Sequence, residues 1–386
     1  MPSLRNLLPF YVVGFLFAIH TALVLYNNSS FLSQFTDDRY IGLLYTAGSL
    51  VAIIGLLTIP KLLQKFGSRA VMVTLASLIL ALCIVNATVQ IPWIILIGFT
   101  LFFSGNIMFF LANDIVIDQI TDNDSVAGTI RGSYISALHI GYVIAPGLAG
   151  FILARLGFSA LYGLAGFILI PLVVLLFKTR SVQNKEHYLN KLSVRKSLQK
   201  IAQDRNLRNV LGANFILQFF YSWMIIYLPL YLREVLNIPW DSIGTIFSIM
   251  LIAFILVPFP IGRLADTVFG EKPLLFFGFI ILGGSTLLLY LLPHFTLPLL
   301  ALILFITRIG ASSVETLTES YFFKKISHSD TESIGILRST YPVAYIIAPI
   351  LASGILAIIQ IKTLFLILSI ICLSGIIFVA QLKNTK

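Results

Sequence analysis

Stretches of roughly 18–25 predominantly apolar residues recur from one end of this chain to the other, and that repetition decides what it can fold into. A helix of that length crosses a hydrocarbon core ~30 Å thick. Hydrophobic residues make up 58% of the 386 positions and charged residues 11%, with a mean hydropathy of +0.96. An ordinary soluble domain carries about twice that share of charge. Membrane β-strands would alternate apolar and polar residues over ~10 positions, and no such alternation runs through the sequence. The expected fold class is therefore all-α: a polytopic membrane protein.

Twelve transmembrane helices are expected, near 7–27, 40–60, 69–88, 92–118, 126–154, 158–177, 209–232, 241–261, 273–292, 297–322, 332–358 and 363–381. Polar, Gly or Pro residues mark the turns, among them Asn27-Asn28-Ser29-Ser30, Leu156-Gly157 and Gly270-Glu271-Lys272-Pro273. Charge supplies an independent check on the count. With both termini cytoplasmic, the outer loops hold Arg39, Arg155, Arg233 and Lys362, while Arg5, Lys61, Lys65, Arg69, Lys324, Lys325, Lys383, Lys386 and the central loop fall inside. That asymmetry follows the positive-inside rule, and Trp93 and Trp240 fall at outer ends as an aromatic belt requires. The net charge of +10 is thus an orientation signal, and no nucleic-acid partner is expected. The plasma membrane is the expected location, and the lipid bilayer the expected partner, with the chain acting as a monomer.

Only Lys178 to Arg208 forms a long polar connection, rich in Lys, Arg, Asn and Gln. It reads as a solvated basic linker; an amphipathic helix over Leu192–Ile201 resting on anionic lipid is the alternative. The segments on either side match in register. Ile41-Gly42 corresponds to Ile243-Gly244, Gln64 to Asp266, Gly67 to Gly270, Asp114 and Asp118 to Glu315 and Glu319, and Ala145-Pro146 to Ala348-Pro349. The offset stays between 201 and 203 residues across four separate spans. The domain organisation expected is an N-terminal six-helix bundle over 1–177, a cytoplasmic basic linker over 178–208 and a C-terminal six-helix bundle over 209–386. Such pseudo-symmetric halves are a recurring transporter design.

The residues then carry a resemblance. Gly262-Arg263-Leu264-Ala265-Asp266-Thr267-Val268-Phe269-Gly270 resembles the G-x-L-A-D-r-x-G signature of the major facilitator superfamily, with one residue inserted. The first-half counterpart, Pro60 to Arg69, departs from it by carrying Pro60 for the Gly and Gln64 for the Asp. Gly141-Tyr142-Val143-Ile144-Ala145-Pro146-Gly147-Leu148-Ala149-Gly150 is similar to the span-5 motif G-x-x-x-G-P-x-x-G-G of the drug/proton antiporter branch, with Ala145 and Ala149 for two glycines. The resemblance implies alternating access about a midplane site between the halves. It also implies a latch in which Asp266 caps a helix N-terminus and pairs with an Arg, while Gln64 keeps hydrogen bonding without the charge.

Charged and polar residues inside the spans are the candidate site. Arg308 should lie near mid-bilayer, where even lenient insertion scales set a cost of ~2.5 kcal/mol. It could meet a substrate carboxylate or phosphate, or pair with Glu315 two turns away. His20, Asn106, His139 and Gln218 lie at similar depth; each could line the site or simply bond helix to helix. Tyr221 and Tyr345 could supply aromatic walls, as could Trp223, for which lipid or core packing is the stronger reading. Asp114 and Asp118 could latch to Arg131, and Glu315 and Glu319 to Arg338. Alternatively Glu315 or Asp114 carries a coupling proton. Pro146 and Pro349 sit inside spans, and with Gly147 and Gly150 they could form hinges or static kinks.

Cys83 and Cys372 lie in apolar runs and read as small core residues. Asp122-Asn123-Asp124 matches a D-x-D pattern but reads as a polar loop. There is no Walker A sequence, H-E-x-x-H or Cys/His cluster. Hence no cofactor, metal or enzymatic activity is expected. The expected function is secondary active transport of a small-molecule substrate, in efflux mode coupled to protons. Symport or uniport of an anionic metabolite is the alternative, and a membrane enzyme or lipid-handling factor on the same fold is the reading from another class.

Overall fold

The structure is a computed structural model that describes residues 4–121, 127–179, 199, 201–326 and 331–386. At 4–7, 56, 118–121, 127–133, 135, 136, 331, 332 and 334 it describes the backbone alone. Every regular element among these residues is helical, and 10 helices are long and apolar enough to cross a membrane. In hydrocarbon the backbone must satisfy its own hydrogen bonds, and the helix does so within one segment.

Two helices are far longer than one crossing needs: Asp38–Thr88 with 51 residues and Ala127–Lys178 with 52. Each is broken once. Gly67 has φ 78° and Gly157 φ 75°, a left-handed backbone that glycine adopts without Cβ strain. The segments 38–66 and 68–88 are therefore separate helices, as are 127–156 and 158–178.

The chain divides into two compact units, Met1–Lys191 with Asn237–Thr245, and Leu192–Leu236 with Ile246–Lys386. In the first, Asp38–Thr88 packs along Pro92–Thr121 and against Ala127–Lys178, which also carries Leu4–Leu25. Lipid tails are as apolar as leucine, so close packing has to hold these helices together. Tyr45 lies edge-on to both Phe99 and Phe103, with ring centroids 5.0 Å apart in each case. Phe31 packs on Tyr162 at 4.6 Å. Large apolar side chains such as Ile54, Leu57 and Phe167 stay exposed on the unit's surface, as lipid-facing positions do.

In the second unit, Arg205–Leu230 is the inner helix. Buried residues fill 83% of the apolar window of the span it opens, against 39% for the span ending at Ala380. Asp204 caps its start, accepting from the amides of Asn206 at 2.7 Å and Leu207 at 3.2 Å. The helix packs against Leu297–Lys325, Thr331–Leu356 and Ile361–Ala380. Glu271–Leu291 packs on Leu297–Lys325 at a point where side chains are absent. A Cβ on Gly310 would stand 2.6 Å from the Leu282 amide nitrogen and 3.0 Å from the Gly278 carbonyl.

The signature segment ends in a π turn over Ala265–Phe269, closed by an i→i+5 bond from the Gly270 amide to the Ala265 carbonyl at 3.0 Å. A π turn holds one residue more than an α turn. That absorbs the inserted residue, so Gly270 (φ 75°, ψ 171°) reaches nearly the same backbone conformation as Gly67 (φ 78°, ψ 158°). The one-residue difference in spacing between the two sequence segments has this local reason.

Candidate functional site

Leu297–Lys325 begins at Thr296, whose hydroxyl accepts from the Leu299 amide at 3.4 Å, with a proline in the first turn. By helical rise Arg308 lies ~16 Å along this helix, about half the thickness of a hydrocarbon core. Gly310 faces the backbone of Glu271–Leu291, and a residue two positions away projects to the opposite side of a helix. Arg308 and Ser312 therefore turn away from Glu271–Leu291, and Arg308 meets Arg205–Leu230.

Arg308 is 1% exposed. Its guanidinium carbon stands 5.2 Å from the Phe220 ring centroid and 6.0 Å from that of Tyr221. Nε, Nη1 and Nη2 are all buried with no hydrogen-bond partner, and Arg308 forms no salt bridge among the described residues. The pairing of Arg308 with Glu315 weighed from the sequence is not found. Two turns along one helix separate them by ~10 Å of rise, and Glu315 is engaged elsewhere. Its Oε2 accepts from the Tyr221 hydroxyl at 2.8 Å. Tyr221 thus serves as a hydrogen-bond donor as well as a ring beside the guanidinium.

Gln218 is half-buried on the same helix as Tyr221. Tyr345 is buried and packs on Tyr341 with centroids 4.5 Å apart and ring planes tilted by 36°. Trp223 is buried too, its indole N–H donating to the Ala348 carbonyl at 2.7 Å, which ties it to Thr331–Leu356 as a core residue. Asn214 joins three helices: its Nδ2 donates to Thr318 at 3.3 Å and its Oδ1 accepts from Thr340 at 2.7 Å.

The polar candidates of the first unit do something different. His20 is fully buried, and its Nδ1 donates to the Ala165 carbonyl at 2.8 Å. Asn106 accepts from Thr21 at 3.3 Å and donates to the Phe102 carbonyl at 2.8 Å. These contacts stitch Leu4–Leu25 to Pro92–Thr121 and Ala127–Lys178, the helix-to-helix role weighed for both residues. His139 is half-buried. Asp114 is half-buried, but the side chains of Asp118 and Arg131 lie outside the described residues, as do Asp122, Asn123 and Asp124.

The latch differs from the expected one. Asp266 lies within the π turn, ahead of the helix Glu271–Leu291 with Gly270 at its N-cap; the Glu271 amide donates to the Thr385 hydroxyl at 3.3 Å, and the Asp266 carboxylate goes to a side chain instead. Its partner is Lys324, at 2.7 Å, in place of an arginine. Lys324 also reaches Glu271 at 2.5 Å, and that carboxylate is fully buried. Ser320 donates to Glu271 at 3.0 Å, and Thr385 donates to its other oxygen. Asn384 donates to the Phe269 carbonyl at 3.1 Å, and Tyr321 donates to that of Lys383 at 2.9 Å, so residues 383–385 bind the signature turn. Gln64 and Glu319 are exposed and Arg338 is half-buried.

Pro146 and Pro349 are buried, and their helices continue through them. Gly147 is half-buried beside Pro146. Gly150 has a packing role: a Cβ there would stand 2.4 Å from the Trp240 carbonyl and 2.8 Å from the Gly244 Cα. Cys83 and Cys372 are buried and free, and among the described residues no three His, Cys, Asp or Glu side chains gather to hold a metal ion.

The family model described as Major Facilitator Superfamily matches residues 10–240 and again 210–385. This chain belongs to the major facilitator superfamily. Members are transport proteins rather than enzymes, and this one is an all-α integral membrane protein with the general function of a secondary transporter. Its fold is shared with the crystal structure of a mutant of the nucleoside transporter NupG, at a TM-score of 0.80 and 14% identity, covering 97% of this chain and 99% of that one. It is also shared with a bacterial homolog of the human lysosomal transporter Spinster, solved inward-facing and unoccupied. There the TM-score is 0.71 and the identity 11%, covering 98% of this chain and 93% of that one. No curated protein matches the chain significantly.

Sequence reasoning missed Ser312, Asn214 and Glu271. Ser312 and Asn214 carry only the signal of a polar residue inside an apolar run, which many other small hydroxyls and amides of the spans share. Glu271 looked like part of a turn, and only its burial against Lys324 makes it a structural charge.

Proposed function

We propose that this superfamily member moves a small solute by alternating access with proton coupling, and that Glu315 takes up the proton. The observation that carries the proposal is the engagement of Glu315: a carboxylate within a span, hydrogen-bonded by a neutral phenol and forming no salt bridge among the described residues. A carboxylate locked to an arginine holds its charge, whereas one held by a phenol can accept a proton at smaller cost. In the proposed architecture twelve spans form two six-helix halves, 1–177 and 209–386, joined by the cytoplasmic linker 178–208. The breaks at Gly67 and Gly157 support that count, since each divides one long helix into two. Basic-residue asymmetry supports cytoplasmic termini in a plasma membrane, and a monomer is the working unit.

Two coupling modes follow from different observations. The span-5 motif over 141–150 supports exchange of solute for protons, that is, efflux. The unpaired guanidinium of Arg308 favours the second reading, symport or uniport of an anionic metabolite.

The test is flux into reconstituted vesicles with and without an imposed pH gradient. The expected outcome is solute accumulation that needs the gradient and is lost in Glu315→Gln. Accumulation indifferent to pH in both proteins would remove proton coupling from the proposal.

A further inference from the structure

Arg308 and Ser312 stand one turn apart on one face of Leu297–Lys325, and each is 1% exposed. The Ser312 hydroxyl, like all three guanidinium nitrogens, is buried without a hydrogen-bond partner. Its neighbours behave differently. Thr307, Ser313 and Thr318 each donate to a carbonyl of the preceding turn, at 2.8 Å in every case. Such back-bonding is the ordinary fate of a hydroxyl in a membrane helix. Buried donors left open are rare in folded proteins, and a cluster of them calls for a specific explanation.

We infer that Arg308 and Ser312 together form a two-point receptor for the oxyanion group, carboxylate or phosphate, of the transported solute. The guanidinium offers parallel N–H donors that match two oxygens of such a group, and the serine hydroxyl supplies a further donor one turn on. Phe220 and Tyr221 flank the guanidinium, and Tyr221 is committed through its hydroxyl to Glu315. Glu315 shares this face and acts on Arg308 through its charge, but its hydrogen bond goes to Tyr221, and the guanidinium nitrogens are left open to a ligand. The inference rests on the transporter reading and names the chemical class of its cargo; Ser312 becomes the residue that sets selectivity.

Purified protein in detergent tests it by thermal shift and equilibrium binding with inorganic phosphate, acetate and, as a cationic control, tetraphenylphosphonium. One of the two anions is expected to raise Tm and the cation is not. Ser312→Ala should weaken that anion about tenfold, the scale of one hydrogen bond to a charged group. Arg308→Lys, which keeps the charge and loses the fork, should weaken it further and flatten the preference between phosphate and acetate. A response to phosphate alone assigns a phosphate-bearing solute, and a response to acetate alone assigns a carboxylate. If neither anion shifts the wild-type protein, or if Ser312→Ala and Arg308→Lys both bind as wild type does, the receptor is overturned. Flux separates this failure from that of the transporter reading. Gradient-driven transport of a cationic dye that survives Arg308→Lys unchanged sinks the receptor and keeps the transporter. Saturable anion binding with no flux of any solute keeps the receptor and sinks the transporter.

Discussion

The hydroxyl of Tyr221 donates to Oε2 of Glu315 at 2.8 Å, joining the inner helix Arg205–Leu230 to Leu297–Lys325. The centroid of the same tyrosine ring lies 6.0 Å from the Arg308 guanidinium carbon, so one side chain stands beside both Arg308 and Glu315. Removing the hydroxyl leaves the carboxylate without this donor but keeps the ring. Tyr221→Phe is expected to lower gradient-driven flux about tenfold, as the loss of one charge-assisted hydrogen bond does. Flux within twofold of wild type in vesicles would show the contact to be incidental.

Glu315→Gln keeps size and hydrogen bonding but removes the exchangeable proton. Accumulation against a solute gradient should vanish while downhill counterflow continues. The comparison of the two fluxes in one vesicle preparation checks this, and a variant that still concentrates solute would take Glu315 out of the coupling step.

Gly310 and Gly284 give a matched pair of tests in two packed helices. A Cβ on Gly310 meets the backbone of Leu282 and Gly278, which cannot move aside as a side chain could, whereas one on Gly284 meets nothing within 4 Å. Gly310→Ala should cost about 1–3 kcal/mol as an overpacked contact. Gly284→Ala should be neutral or stabilising by a few tenths of a kcal/mol, since alanine is the better helix former. Thermal unfolding in detergent reads both, and equal Tm values would contradict the close approach.

Lys324 serves two carboxylates of unequal burial, Glu271 with its side chain 0% exposed and Asp266 at 62%. Lys324→Met should destabilise by on the order of 2–3 kcal/mol, below the value for a fully buried pair because the lysine is itself partly exposed. Asp266→Asn should cost roughly 0–1 kcal/mol, as exposed pairs do. The reverse ranking in chemical denaturation would mean that Glu271 is held by Ser320 and Thr385 alone.

Depth in the membrane was legible in the sequence, and the orientation of each side chain was not. Arg308 and Glu315 stood out because a charge in an apolar run is rare and costly. His20 and Asn106 stood out for the same reason, yet their hydrogen bonds run to Ala165, Phe102 and Thr21, which a linear pattern does not reveal. Ser312 went unnoticed because a serine is cheap in a helix and usually bonds its own backbone. The extra residue between Asp266 and Gly270 was visible as a slip in the repeat, but its accommodation in a π turn was not.

Sequence alone determined the helical membrane architecture and the family. Each rests on a local property, apolar length or spacing, that no tertiary contact can overrule inside a bilayer. Tertiary structure decided which polar groups are satisfied. Arg308 and Glu315 share a helix and carry opposite charges, yet Gly310 sets that helix's rotation and Tyr221 takes the carboxylate, leaving the guanidinium open. Those outcomes depend on how neighbouring helices meet, and a hydrogen bond's partner is fixed by direction and distance in space.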